Sequence, residues 1–359
     1  MISKIINENL IQATKKEIES ARKIVIVSHM SPDGDSIGSS LAWANFLKLQ
    51  EKEVTVIVPN AYPDFFSWMP GISEVLVYAE KKELAEEAIR KSDLIFALDF
   101  NVLKRIGDMA ASVADAAAKK ILVDHHLDPG NFADVVISYP SMTSTSEMIF
   151  RLICRMGYFT EMTVECAECI FVGLLTDTGS FSYNSNNPEL YTIVSQLIMK
   201  GVDKDEISRK INNNFSEGRF RLLGFLLNEK LKIYPEIGAA MMCLRKEELG
   251  RFVYKTGDTE GFVNIPLSIK GVVFSVFIKE DVDRIRFSFR SQGDVEANKF
   301  AAAFFNGGGH KNAAGGTMFT SIEEALRNFE EKLPLIADEL KREVKRQELS
   351  MKEKPVVFE

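Results

Sequence analysis

The sequence predicts an α/β protein: an N-terminal domain built on a parallel sheet with helices on both faces, followed by a smaller α/β domain. Three observations carry this. Short β-rich runs alternate with helical segments through the first half. Those runs are apolar along most of their length, as strands covered on both faces are. At 359 residues, one hydrophobic core would be overgrown and two domains are expected.

In chain order, residues 24–28 (IVIVS) read as an apolar strand and 36–49 as a helix. Residues 54–58 form a second strand, and 93–98 a third after a charged helix at 81–91. An Ala-rich helix at 109–118 precedes a strand ending at 121–123. Helices dominate from about 145 to 228; Ser144 and Glu147 have capping-box spacing, and Gly201 sits where a C-cap would end a helix. The second half changes character, with strands at 230–234, 238–244, 271–279 and 284–290, the last two facing each other across the turn EDVD. A helix at 295–305 runs into Asn306-Gly307-Gly308-Gly309-His310, and 322–346 reads as one charged amphipathic helix. The expected division is a catalytic domain at 1–195, a helical linker at 196–229, a second domain at 230–346 and a tail at 347–359.

Charge and composition exclude several classes. Forty-four Lys plus Arg stand against 51 Asp plus Glu, for a net charge of −7, so a surface that holds long nucleic acid by neutralising phosphates is not expected. Between Lys279 and Lys311 six basic residues meet five acidic ones, and no nucleic-acid track shows there. No apolar run is long enough to cross a bilayer, the N-terminus lacks an apolar signal region, and four cysteines are too few for a disulfide framework. The expectation is a reduced, cytoplasmic protein with no membrane partner. Cys166 and Cys169 form a CxxC with no second half, and apolar neighbours make them buried structural thiols.

The chemistry gathers where strands end. The first strand runs into His29, Asp33 and Asp35, the third into Asp99, and the fourth into Asp124-His125-His126. An apolar stretch at 170–175 leads to Asp177. Beyond the carboxyl ends of parallel strands lies the ligand crevice of such a sheet. A lone Asp after a strand is ordinarily a turn former or helix cap. Here three of the chain's four histidines join several aspartates on one rim, which points to metal. Imidazole and carboxylate without thiolate favour a hard or borderline divalent ion, Mn²⁺ first, with Mg²⁺ or Co²⁺ as alternatives. The donors are too many for one ion. A central carboxylate could bridge two ions about 3.5–4 Å apart, an arrangement that serves phosphoester hydrolysis.

HMSPDGDSIGS (29–39), LDFNVLKRIG (98–107), VDHH (123–126) and LLTDTGSF (174–181) resemble the four motifs of the DHH phosphoesterase superfamily. NGGGHKNAAGG (306–316), after FSFRSQGDVEANKFA (287–301), resembles the substrate-binding motif of the DHH-associated C-terminal domain. Within the superfamily the chain is similar to the bacterial oligoribonuclease/pAp-phosphatase (nano-RNase) group. The resemblance implies one ion held by His29, Asp33 and Asp99, and a second held by Asp35, Asp99, His125 and Asp177, with Asp99 bridging. It implies that Asp124 orients an imidazole, that His126 contacts the scissile phosphate, and that Arg105 is a motif arginine. Arg290, Ser291, Gly307, Gly308, Gly309 and His310 would bind substrate, facing the metals across a cleft. Asn306 departs from the pattern, standing where a fourth glycine is common.

The implied activity is hydrolysis of short single-stranded RNA to mononucleotides, with pAp dephosphorylation beside it. Exopolyphosphatase or pyrophosphatase activity, a single-strand exonuclease, cleavage of linear pApA, and a non-catalytic nucleotide-binding protein are the alternatives. The oligomeric state, a homodimer included, is left open by the sequence.

Overall fold

Apolar strands and amphipathic helices assemble into two units, Met1–Asn214 and Phe215–Glu359. The structure is a computed structural model and describes residues 3–255 and 257–352. The first six residues of the expected tail at 347–359 are helical, and 353–359 lie outside the described residues.

In the first unit, six strands form one parallel sheet: β1 (Lys23–Val27), β2 (Glu53–Val58), β3 (Leu76–Val77), β4 (Leu94–Leu98), β5 (Lys119–Asp124) and β6 (Val135–Ser138). Their spatial order is β3-β2-β1-β4-β5-β6. The chain thus winds outward in one direction from β1 and in the other from β4, and the crevice between these two is a switch point. Alternation along the central strands feeds two cores. Ile24, Ile26, Phe96 and Val123 pack on one face with helices α1 (Glu8–Ser20), α2 (Gly34–Leu49), α5 (Thr145–Arg155) and α6 (Val164–Asp177). Val25, Val27, Ile95 and Leu122 pack on the other with α3 (Lys82–Arg90) and α4 (Met109–Asp115). Helices therefore cover both faces.

The stretch 170–175 that leads to Asp177 is the end of helix α6, apolar on nearly every side because it is buried. The expected linker at 196–229 holds the end of α7 (Pro188–Met199), α8 (Lys204–Asn212) and α9 (Glu217–Phe225), with the division between units falling in the break after α8. Gly201 ends α7 with φ of 107°, a left-handed position where glycine has no Cβ to clash.

The second unit is a mixed sheet of β7 (Leu231–Tyr234), β8 (Ala239–Leu244), β9 (Phe274–Glu280), β10 (Ile285–Ser291), β11 (Gly308–His310) and β12 (Ala313–Met318). Their order is β11-β12-β10-β9-β8-β7. Only the β8–β9 pairing is parallel. A short α10 (Lys246–Leu249) follows β8, and α11 (Ala297–Phe304) packs Phe300 against Phe274 and Phe289. The expected helix at 322–346 is two: α12 (Ile322–Lys332) and α13 (Ala337–Lys352), separated by a 3₁₀ turn at Leu333–Ile336. Pro334 explains the break, since it offers no N–H and crowds the preceding turn. Among the described residues no helix is long and apolar enough to cross a membrane.

Candidate metal centre

The site grows from the carboxyl ends of β1, β4 and β5, joined by the two ends of helices α2 and α6. After β1 the chain places His29 in the crevice and then caps α2 with Asp33, whose Oδ1 accepts the amides of Asp35 (3.1 Å) and Ser36 (3.0 Å). The capping role and the site role coexist, because the other oxygen, Oδ2, lies 3.6 Å from His29 Nε2. Asp99 follows β4 with φ of 64°, a left-handed conformation that a short polar side chain tolerates better than a branched one. Its two oxygens divide between two rings: Oδ2 is 3.4 Å from His29 Nε2, and Oδ1 is 3.4 Å from His125 Nε2. His125 Nε2 also lies 3.5 Å from Asp177 Oδ2 and 3.8 Å from Asp35 Oδ2.

The two rings are oriented alike. His29 Nδ1 sits 2.9 Å from the Met30 carbonyl and His125 Nδ1 3.4 Å from the Met142 carbonyl. A carbonyl only accepts, so Nδ1 carries hydrogen and Nε2 is the atom turned to the carboxylates. This crowding shifts the titration of His29, His125, Asp99 and Asp35. Burial alone would lower His29, but Asp33 and Asp99 outweigh it and push the imidazole up to about 10. His125 rises well above its ordinary value because Asp177, Asp99 and Asp35 likewise outweigh burial. Burial opposes ionisation of Asp99, yet His125 and His29 hold it well below the usual carboxylate range. Asp35 is driven well above that range by burial and by the charges of Asp99 and Asp177.

The residues fit a pair of divalent ions. Nitrogen and oxygen donors about 2.1 Å from a shared ion stand roughly 3–3.5 Å apart, and the 3.4–3.8 Å separations here are close to that. His29, Asp33 and Asp99 bring ligand atoms within 4.8 Å of one another, and so do Asp35, His125 and Asp177. Asp177 ends α6, where the helix's partial negative charge makes a carboxylate unfavourable unless a cation is near. With Asp124 the centre gathers five carboxylates, and among these side chains and Arg105 only the guanidinium is always cationic.

Asp124, His126 and Arg105 form the next layer. Asp124 Oδ1 is 2.7 Å from His126 Nδ1, while its Oδ2 is buried without a hydrogen-bond partner. Arg105 Nη2 stands 3.4 Å from His126 Nε2, so this half-buried arginine faces the site instead of solvent.

In the second unit, Arg290 of β10 and His310 of β11 both register with Ala313 of β12, which puts them on the same face of the sheet two strands apart. Gly307 and Gly309 serve this strand pairing directly: a Cβ on either would lie 2.0 Å from the Gly315 carbonyl or 2.5 Å from the Ala313 carbonyl. Gly308 has open space. Asn306 adopts φ of 47° and so fills a left-handed position without glycine. The Ser291 hydroxyl donates to the Val295 carbonyl (2.7 Å) and accepts from Asn312 (2.8 Å). Its one donor is thus committed to the loop.

Thr145, Ser146 and Gly173 also belong to the centre, and nothing in the motifs singled them out. The spacing of Ser144 and Glu147 marks the helix start that carries the first two. Gly34 and Gly38 on α2, and Gly173 on α6, are the small residues that let these helices touch.

Imidazoles and carboxylates buried at the switch point of a parallel sheet form a centre suited to divalent metal, and together with the family matches they mark a metal-dependent phosphoesterase, a hydrolase. Residues 23–174 match the DHH family N-terminal domain and residues 242–346 the DHHA1 domain, and the chain belongs to the DHH family. It is similar to an exopolyphosphatase-related protein from Bacteroides fragilis, at 52% identity and a TM-score of 0.90, covering 95% of this chain and 100% of that one. It is also similar to the bifunctional oligoribonuclease and PAP phosphatase NrnA of Thermus thermophilus, at 29% identity over 89% of this chain and 90% of the relative. The NrnA of Bacillus subtilis is 27% identical over 85% of this chain and 91% of the relative.

Proposed function

We propose that the chain is a Mn²⁺-dependent phosphoesterase that hydrolyses short oligoribonucleotides to mononucleotides and pAp to AMP. The observation that supports it most is Asp99, buried between His29 and His125 with one oxygen toward each ring. In this reading His29, Asp33 and Asp99 hold one ion, and Asp35, Asp99, His125 and Asp177 hold the second. When bound, two such ions supply the charge that polarises a phosphoryl oxygen and makes hydroxide available near neutral pH.

The side chains then have separate tasks. His126, its ring fixed by Asp124, directs Nε2 to the phosphoryl group and, in its doubly protonated form, gives the Nε2 proton to the leaving oxygen as the P–O bond breaks, returning to the neutral ring. Arg105 places positive charge beside that nitrogen, where a phosphate would add it to its own contacts. Arg290 and His310 hold a further phosphate of the substrate, with Ser291 bracing the loop beside them. A protein that takes only short substrates needs no extended basic surface, in keeping with the net charge of −7. The relatives named NrnA, matched over nearly their whole length, support the substrate class.

The test is a panel of a labelled RNA dinucleotide, pAp, pApA, pyrophosphate and polyphosphate, offered to the purified full chain with Mn²⁺. The dinucleotide and pAp should be hydrolysed, and chelation should stop it. Both left intact would sink the reading, and a preference for polyphosphate would replace it with the exopolyphosphatase alternative.

A further inference from the structure

Helix α5 starts beside the centre and spends its first amides on it. Ser144 caps the helix, accepting from the Glu147 amide at 3.0 Å. The next two amides reach Asp35: Thr145 N donates to Oδ2 at 2.6 Å and Ser146 N to Oδ1 at 2.9 Å. The Thr145 hydroxyl donates to Asp99 Oδ1 at 3.0 Å. All of these residues are buried. One residue thus holds two carboxylates of the centre at once, one through its main chain and one through its side chain.

The approach needs an empty place on the neighbouring helix. A Cβ at Gly173 of α6 would lie 1.9 Å from Ser146 Oγ and 2.6 Å from Asp35 Oδ1. From below, α5 is anchored. Glu147 Oε2 accepts from the Thr143 amide (2.9 Å) and hydroxyl (2.7 Å), and Oε1 accepts from Arg151 Nε (2.8 Å) and Nη2 (2.7 Å). Arg151 Nη2 also reaches Glu189 Oε2 at 2.8 Å.

We propose that Thr145 is a positioning residue, which sets Asp35 and Asp99 in their ion-receiving orientation before any metal arrives, in the space that Gly173 leaves. This rests on the reading of those two aspartates as ion donors. Carboxylates crowded into a buried site turn apart or keep a proton unless donors hold them in place. Here main-chain amides, the positive end of a helix and one hydroxyl do that work.

Thr145→Val keeps the shape and the amide and removes only the hydroxyl, and Thr145→Ser restores it. Mn²⁺ binding to the full chain, read by electron paramagnetic resonance without substrate, should weaken about ten- to a hundredfold in the valine variant, as for other groups that orient metal ligands. The serine variant should stay within about threefold of the parent on the same scale. With substrate at saturating Mn²⁺, kcat should fall while KM holds. A valine variant that binds Mn²⁺ like the parent overturns the proposal. A parent that binds no Mn²⁺ overturns the metal reading beneath it, whereas a parent that binds Mn²⁺ but cleaves no RNA overturns only the substrate. If the valine variant does not fold, Thr145→Ala removes the same hydroxyl with a smaller side chain, and parent-like Mn²⁺ affinity there refutes the proposal equally.

Discussion

Asp124 Oδ1 lies 2.7 Å from His126 Nδ1, with both side chains buried. The aspartate fixes which ring nitrogen faces outward, toward Arg105. Asp124→Asn should lower kcat about ten- to a hundredfold while leaving the number of bound Mn²⁺ ions unchanged. Steady-state kinetics beside metal analysis check this, and a lost ion would make Asp124 a ligand instead.

In the proposed assignment Asp99 is the shared donor, so its loss would remove charge from both ion sites. Asp99→Asn should lower kcat by roughly a thousandfold or more, the worth of several kcal/mol of transition-state stabilisation. The far-ultraviolet circular dichroism should be retained. Activity near the parent's would end the bridging assignment.

Helices α2 and α6 meet with no room to spare. A Cβ at Gly38 would lie 2.6 Å from the Cys169 carbonyl oxygen and 2.9 Å from the Gly173 nitrogen, both main-chain atoms. Gly38→Ala should therefore destabilise the first unit by about 1–3 kcal/mol. Gly224 on α9 has nothing within 4 Å of the same position, and Gly224→Ala should instead stabilise by about 0.4–1 kcal/mol. Urea denaturation of the two variants against the parent separates these signs.

Arg151 and Glu147 form a buried ion pair at 2.7 Å. Arg151→Met strands the carboxylate away from water and should cost about 3–5 kcal/mol. Replacing both partners by apolar residues should cost less than replacing the arginine alone, though the double variant still loses the Thr143 contacts. A double-mutant cycle measures it.

Burial pushes the Cys166 thiol up to about 12, and it raises Cys169 as well. Both should resist iodoacetamide at pH 8 in the folded chain and react once it is unfolded. The stability that Cys166 contributes is complete below its ordinary value of 9.0 and declines as pH rises toward 12, because the unfolded chain releases the thiol proton that the folded one keeps. Fast labelling of the native chain, or a zinc-dependent loss of labelling, would contradict a structural role.

The centre of the fold was legible because buried parallel strands leave unbroken apolar runs, as in LIFAL at 94–98, and because the donors stand at the ends of those runs. The sheet's edges were not. β3 has two half-buried residues and β6 has one fully buried among four, so neither carries the pattern of a covered strand. The expected capping box at Ser144 and Glu147 formed only in part: Ser144 caps, but the Glu147 carboxylate turns to Thr143 and Arg151. Thr145 escaped notice for a different reason. Half of what it offers is a main-chain amide, which every residue but proline has, and only the packing at Gly173 shows where that amide points.

The six proposed ion donors lie on separate stretches, from His29 after the first strand to Asp177 at the end of α6. No peptide from this chain contains the set, and Asp177 is the last of them to be synthesised. During translation the growing chain could present a partial cluster after β5, crowded with carboxylates and lacking its closing ligand. Loading with both ions would then be an event of the completed first unit, in which the arrival of one helix serves at once as the last step of packing and as the point at which the cluster can retain its metal.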